Sequence, residues 1–393
     1  MPAIGVQTFK PPLEERSCKQ RPPLAYHRHV DRTEHAKVNG QDKRIVVIGA
    51  GIMGAAVAYH LARKGAKVTV VEAEGIASGV TGRSFAWINT STCESDPIAQ
   101  LRAAAIVAYR QLETELPGLT VRWTGALSYS EMPSAAPSAA SNPPVANRCS
   151  RSQILDLEPN LKHPPEFASY APAEGALDPV AATHALIAGA QAHGASLLTR
   201  TPVLGLVIQH AKVSAVETAM GIIDADTVVV AAGTGITKLT DRLGMSLPIE
   251  ASPALLIRYK TQPDLVRTLI SSPAMEVRQT AEGVLLAAED YLDDAVENQP
   301  KAIALRTAKA IQNELHGVTS IEPEWAGIGL RPMPADGIPI IGYLPKVGDV
   351  YVCAVHPGIT LAAIVGRLTS EEIIDGEVSS ALGPCRPDRF LAR

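Results

Sequence analysis

The sequence predicts an α/β chain, α+β overall, in which a buried parallel sheet is joined to a second lobe built on an antiparallel sheet. Three observations predict it. Apolar runs ending at or near glycine recur at Arg44–Gly49, Asp226–Gly233 and Tyr351–Val355, as strands buried on both faces do. A strand–helix–strand unit stands at the start of the ordered chain. Between the later runs, Pro248–Glu289 alternates strand-like stretches such as LLIRY and GVLLAAE with polar breaks, which suggests a separate antiparallel sheet.

The gross numbers narrow the class. At 393 residues the chain is longer than one compact domain usually is, so two lobes are expected. Lys plus Arg total 36 against 40 Asp plus Glu, a net charge of −4, which lacks the clustered basic face of a nucleic-acid binder. No apolar run approaches the roughly 20 residues of a membrane helix. The five cysteines, Cys18, Cys93, Cys149, Cys353 and Cys385, are widely spaced and contain no Cys-x-x-Cys. That argues against a disulfide framework, a structural zinc site and a redox dithiol, and a reducing cytoplasm fits. Residues 1–43 are polar, carry Pro11, Pro12, Pro22 and Pro23, and lack a secretory apolar core, so they read as a disordered extension. His27, His29 and His35 belong to that solvated tail, and no metal site is expected.

In chain order, RIVVIG at Arg44–Gly49 is the first strand, Ala55–Lys64 a helix stopped by Gly65, and KVTVVE at Lys67–Glu72 the second strand. Between strand and helix stands Gly49-Ala50-Gly51-Ile52-Met53-Gly54. Gly49 permits the tight turn, Gly51 lets backbone approach a pyrophosphate, and Gly54 allows close helix–strand packing. Glu72, at the end of the next strand, is placed to accept from a ribose diol. This context predicts dinucleotide binding. Ala77–Ser84, ASGVTGRS, follows as a small-residue segment able to wrap a pyrophosphate, or equally an ordinary loop. Met132–Asn147 is rich in Pro, Ala and Ser and reads as a surface loop. DTVVVAAG and Tyr351–Val355 add buried strands, and Ile359–Ile374 is an amphipathic helix.

Four blocks carry a resemblance: VVIGAGIMGAAVAYHLARKGAKVTVVE; ASGVTGRS; EGALDP with ADTVVVAAG; and GLRPMPADGIPIIG with HPGITLAA. In this order they resemble the family of D-amino-acid oxidase, glycine oxidase and sarcosine oxidase, over nearly all of the chain after residue 43. The resemblance implies a Rossmann-like FAD-binding domain (44–125, 175–245 and 325–385) and a substrate domain on an antiparallel sheet (126–174 and 246–324). It implies that Gly49, Gly51, Gly54 and Glu72 hold the ADP part, and that Ser78, Arg83 and Ser84 lie along the pyrophosphate or ring. Val203 matches a valine whose backbone meets the adenine, and Ala232 with Gly233 closes the second nucleotide contact. Some sarcosine oxidase relatives attach flavin through a cysteine near the LRP block; Gly329 stands there, so non-covalent FAD is implied.

At the reacting end the resemblance gives Arg331 as the clamp for a substrate carboxylate, which a guanidinium fork can bind bidentately. A structural arginine paired with Asp336 is the other reading. Arg278, in MEVRQT, is a second candidate. Backbone amides of Gly358, Ile359 and Thr360 would face the flavin pyrimidine edge at a helix start. His356 either tunes flavin or substrate or simply packs beside that helix. Trp87, Tyr291 and Trp325 are pocket walls or core packing. The implied reaction is hydride transfer from the carbon beside an amine nitrogen of a small amino acid to flavin N5, giving an imine. Oxygen, or a quinone or protein partner, would take the electrons, since no oxygen-activating lysine can be placed. A nicotinamide-dependent reductase and a flavin subunit of a larger assembly remain the rival readings.

Overall fold

Arg44–Ile48 is buried from Ile45 onward because strands flank it on both edges and other layers cover both faces. It pairs in parallel with Lys67–Val71 and with Thr227–Val230. Thr227–Val230 pairs in parallel with Val350–Ala354, which takes Ile340–Tyr343 as an antiparallel edge, and Ser196–Leu198 extends the other side in parallel. The computed structural model describes residues 42–90, 96–130, 146–291, 293 and 295–391. The expected extension up to residue 41, with its three histidines, lies outside the described residues. So do Cys18, Cys93 and residues 132–145 of the expected surface loop. Cys149, Cys353 and Cys385 are free and buried.

Alternation along the strands divides the core into two. Ile45 and Val47 face helices Ile52–Arg63, Ala99–Glu115, Pro179–Ala192 and Gly358–Ser370. Val46 and Ile48 face a three-stranded antiparallel sheet, Val203–Gln209, Lys212–Thr218 and Gly221–Asp224. Burial on both faces is why these strands read as continuous apolar runs, with about 1.5–3 kcal/mol gained per fully buried Val or Ile. The EGALDP block also has a local cause. Gly175–Leu177 is a strand, and Asp178 then caps the Pro179–Ala192 helix, its Oδ1 accepting from the N–H groups of Val180 and Ala181 at 2.9 and 3.0 Å.

The second sheet has eight strands, in the order Pro323–Pro334, Ile249–Lys260, Val284–Asp290, Glu276–Gln279, Leu269–Ser271, Ala126–Ser128, Phe167–Ala171 and Asn147–Ser150. All neighbours are antiparallel except Leu269–Ser271 with Ala126–Ser128. LLIRY and GVLLAAE pair directly, with Leu255 opposite Glu289 and Tyr259 opposite Leu285. Residues 325–334, grouped with the cofactor domain from the sequence, are hydrogen-bonded into this sheet alongside Ile249–Lys260. One face is dry: Leu255, Ile257, Tyr259, Val277, Leu285 and Ala287 pack with Ile303 and Ile311 of the Pro300–Glu314 helix. Period-two alternation therefore turns Ser252, Glu276, Arg278, Gly327, Gly329 and Arg331 to the opposite face. Among the described residues no helix is long and apolar enough to cross a membrane.

Candidate active site

The glycine turn is built by close backbone approach. Gly49 has φ +107°, and a Cβ there would lie 2.6 Å from the Ala231 carbonyl oxygen. A Cβ on Gly54 would lie 2.0 Å from the Gly49 oxygen. Only glycine fits either position, and the first approach brings the Ala232–Gly233 segment beside the turn. Gly51 is the N-cap of the Ile52–Arg63 helix; it offers no side-chain cap, and no acid sits in the first turn. Ile52 N–H is met by Thr81 Oγ1 at 3.1 Å, and the helix leaves its positive end available to an anion. Glu72 accepts from Ala50 N–H at 2.8 Å and from Glu74 N–H at 2.9 Å, one bond per oxygen, so lone pairs remain for a diol. Thr201 N–H donates to the Glu72 carbonyl at 2.9 Å, which runs the segment leading to Val203 alongside that carboxylate. These residues fit the ADP part of a dinucleotide.

The small-residue segment is a folded loop held by its own arginine. Arg83 Nη1 donates to the carbonyls of Ser78 and Gly79 at 2.8 and 3.3 Å, and Ser84 Oγ accepts from Ala86 N–H at 3.1 Å. Ala77 and Ala86 bracket it at φ 58° and 59°, conformations that side chains disfavour. The loop rests on the open face of the larger sheet. A Cβ on Gly329 would lie 3.1 Å from Val80 Cγ2 and from Arg83 Cβ. A cysteine at that position has little room.

The Gly358–Ser370 helix also starts without a side-chain cap, and space is open above Gly358. Tyr109 O–H donates to the Ile359 carbonyl at 2.5 Å. Thr360 is fully buried; its Oγ1 lies 3.0 Å from both the Trp87 carbonyl and Asn89 Oδ1. Its side chain therefore ties Trp87–Asn89 to the helix start. Arg102 Nη1 donates to Asn89 Oδ1 at 2.6 Å, and its Nε reaches Asp96 at 3.1 Å. Glu174, buried, accepts from Trp87 Nε1, Thr90 N–H and Thr90 O–H at 2.8, 2.7 and 2.5 Å. Burial pushes its carboxyl up while those donors pull it back.

Arg331 lies on the open face. Its Nη2 donates to Ser252 Oγ at 2.9 Å and to the Pro253 carbonyl at 3.3 Å. Its Nε is buried and has no acceptor among the described residues. The nearby Asp290 carboxylate stands 3.9 Å away and is 83% exposed, a weak partner. Asp336, the alternative partner considered from the sequence, instead pairs with Arg389 at 2.8 Å, which approaches from the C-terminal turns. His356 is partly buried, and burial first, then the charges of Arg331 and Arg102, holds its pKa down to about 4. It is a neutral imidazole at pH 7.

Arg278 is placed differently from a clamp. It is 5% exposed, and it donates from Nε to the Phe85 carbonyl and from Nη2 to the Leu177 carbonyl. Burial lowers its pKa to about 10. It ties the end of the Ala77–Ser84 loop to the larger sheet. Trp87 is held by Glu174, Tyr291 packs on the dry core, and Trp325 lays its ring over Gly327, where a Cβ would sit 2.1 Å from Cζ2. Sequence reasoning missed Thr81, Asn89, Arg102, Glu174 and Ser252. Thr81 and Glu174 lay inside recognised blocks, but Glu174 meets Trp87 from 87 residues away, Ser252 meets Arg331 from 79, and Asn89 meets Arg102 across 13.

The sequence model of the FAD dependent oxidoreductase (DAO) family matches residues 44–372. The chain belongs to this family. It is an FAD-dependent oxidoreductase. It is 26% identical over 375 residues to a glycine oxidase of Pseudomonas putida, covering 89% of this chain and 99% of that protein. It is 24% identical over 375 residues to one of the subunits of an opine oxidase of Agrobacterium tumefaciens, covering 89% and 98%. Its fold matches the crystal structure of glycine oxidase from Bacillus cereus with a TM-score of 0.75 at 22% identity, covering 89% of this chain and 99% of that one.

Proposed function

We propose that this oxidoreductase oxidises the C–N bond of a small amino acid or N-substituted amino acid to an imine. One observation carries the reading: Arg331, anchored through Nη2, keeps a buried Nε that meets no acceptor among the described residues, on the face where the cofactor loop rests. A donor buried without a partner is costly unless a ligand completes it, and a carboxylate is the matching acceptor. The glycine oxidase and opine oxidase relatives agree with an amino-acid substrate. FAD, when bound, supplies the two-electron acceptor; Gly49, Gly51, Gly54, Glu72, Val203, Ala232 and Gly233 would hold its nucleotide part, without a covalent link. The segment Ser78–Ser84 would lie along the pyrophosphate. The first-turn amides of Gly358, Ile359 and Thr360 would stabilise negative charge on the reduced ring. Arg331 orients the substrate through its carboxylate, and neutral His356 adds no competing cation beside it. Oxygen or another acceptor then takes the electrons. A second reading, a flavin-bearing chain that works with a partner, is favoured by the opine oxidase relative alone.

Product analysis tests the proposal. Incubation with amino acids and an electron acceptor should yield the 2-oxo acid together with ammonia or the freed amine. Oxidation at a carbon not bonded to nitrogen would overturn it.

A further inference from the structure

The open face of the larger sheet carries a second ionisable group, Glu276, half-buried and weakly partnered. Val277 is fully buried in the dry core, so Glu276 points the other way, with Arg278 and Arg331. Register places it in one cross-strand row: Ser271 is opposite Glu276, Val277 is opposite Ala287, and Leu256 is opposite both Ala288 and Gly327. That row is otherwise small or apolar, and it lies beside Gly329, against which the cofactor loop rests.

Glu276 is poorly partnered there. Among the described residues its side chain has one hydrogen-bond partner, Ser271 Oγ at 3.5 Å, the outer limit of such a bond. None of the ion pairs of the described residues includes it, and Arg331 has Asp290, not Glu276, as its carboxylate within 4 Å. Burial pushes its carboxyl up and the Ser271 hydrogen bond pulls it back; Asp290 and Glu289 push it up further, and the field of Arg331 opposes them least. A half-buried carboxylate with no cation in contact is unfavourable, and a ligand cation would relieve it.

We infer that Glu276 selects substrates bearing a second cation, an ammonium or guanidinium at the end of a side chain or N-substituent, while Arg331 holds their carboxylate. The inference rests on the proposed amino-acid oxidation and names its substrate class. Glu276 is a specificity residue and takes no part in bond breaking. An acid in this small, apolar row gives a cationic group a partner and gives an uncharged group of the same shape none, which is discrimination by one charge-assisted bond.

Two measurements on the FAD-loaded full chain test it. The first compares anaerobic flavin bleaching by arginine and by citrulline, its uncharged isostere, in both enantiomers. Arginine should have the larger kcat/KM by about 10- to 100-fold. Glu276→Gln should erase that difference by weakening arginine alone, and Glu276→Asp should keep part of it. The second uses no turnover: calorimetric binding of 4-guanidinobutyrate should be about tenfold or more tighter than that of 4-ureidobutyrate, its uncharged isostere, in the wild type, and about equal in Glu276→Gln. Equal use of arginine and citrulline by the wild type, or equal weakening of both by Glu276→Gln, would overturn the assignment of Glu276 and leave amino-acid oxidation standing. Failure of every amino acid to bleach the flavin would overturn both.

Discussion

Replacing Arg331 by Met removes the guanidinium and keeps most of the stem. In the folded protein the cost is modest, because Ser252 Oγ and the Pro253 carbonyl are partly exposed and water can replace Nη2. Loss of about 1 kcal/mol or less of stability is expected. In the substrate complex the loss is larger. Two charge-assisted bonds to a carboxylate, at about 1.5 kcal/mol each, amount to about 3 kcal/mol, or about 100-fold in kcat/KM. A double-mutant cycle isolates that term. Anaerobic bleaching rates are measured for the preferred amino acid and for its decarboxylated amine, with wild type and Arg331→Met. Removing the substrate carboxylate and removing Arg331 should each cost about as much as removing both, with a coupling of about 2–3 kcal/mol. Additive losses, with coupling below about 0.5 kcal/mol, would show that Arg331 does not hold the carboxylate.

Three further outcomes follow from the packing. Glu174→Ala strands three donors on Trp87 and Thr90, so urea unfolding should show about 3 kcal/mol less stability; a loss under about 1 kcal/mol would mean that this carboxylate is not a brace. Gly54→Ala drives a Cβ against the Gly49 carbonyl and should destabilise by about 1–3 kcal/mol while lowering FAD retained per chain on gel filtration. Gly79→Ala, in open space, should retain it. His60 is buried, its Nε2 meets no partner among the described residues, and burial holds its pKa at about 4 against 6.5 when unfolded. The unfolded chain therefore binds the extra proton first, so stability present above pH 6.5 is lost as pH falls toward 4, by up to about 3 kcal/mol. His60→Leu should flatten that part of the pH–stability curve relative to the wild type, and an unchanged slope would assign it elsewhere.

The parts legible in the sequence are those whose causes are local. Gly49 and Gly54 announce a strand–turn–helix because only glycine tolerates the approach there, and RIVVIG announces a strand covered on both faces. LLIRY and GVLLAAE could be read as a sheet because alternation survives at the residue level. The site needed tertiary information. Arg278 and Arg331 look alike in sequence, one in MEVRQT and one in GLRPMP, yet the fold satisfies the first with backbone carbonyls and leaves the second an Nε without an acceptor among the described residues. Asp336 is taken by Arg389, 53 residues on, so its short spacing from Arg331 was uninformative. Glu174 finds its partners 84 and 87 residues upstream. Glu276 shows its meaning only once the register with Val277 in the dry core is known.

The most direct test of the central claim is an anaerobic absorbance titration of the purified, FAD-loaded protein with glycine, sarcosine, proline and D- and L-amino acids. The account predicts a yellow protein bleached by at least one of them, and recolouring on readmission of air or an artificial acceptor. A yellow protein that no amino acid bleaches, while a hydroxy acid or another non-amine does, would contradict it.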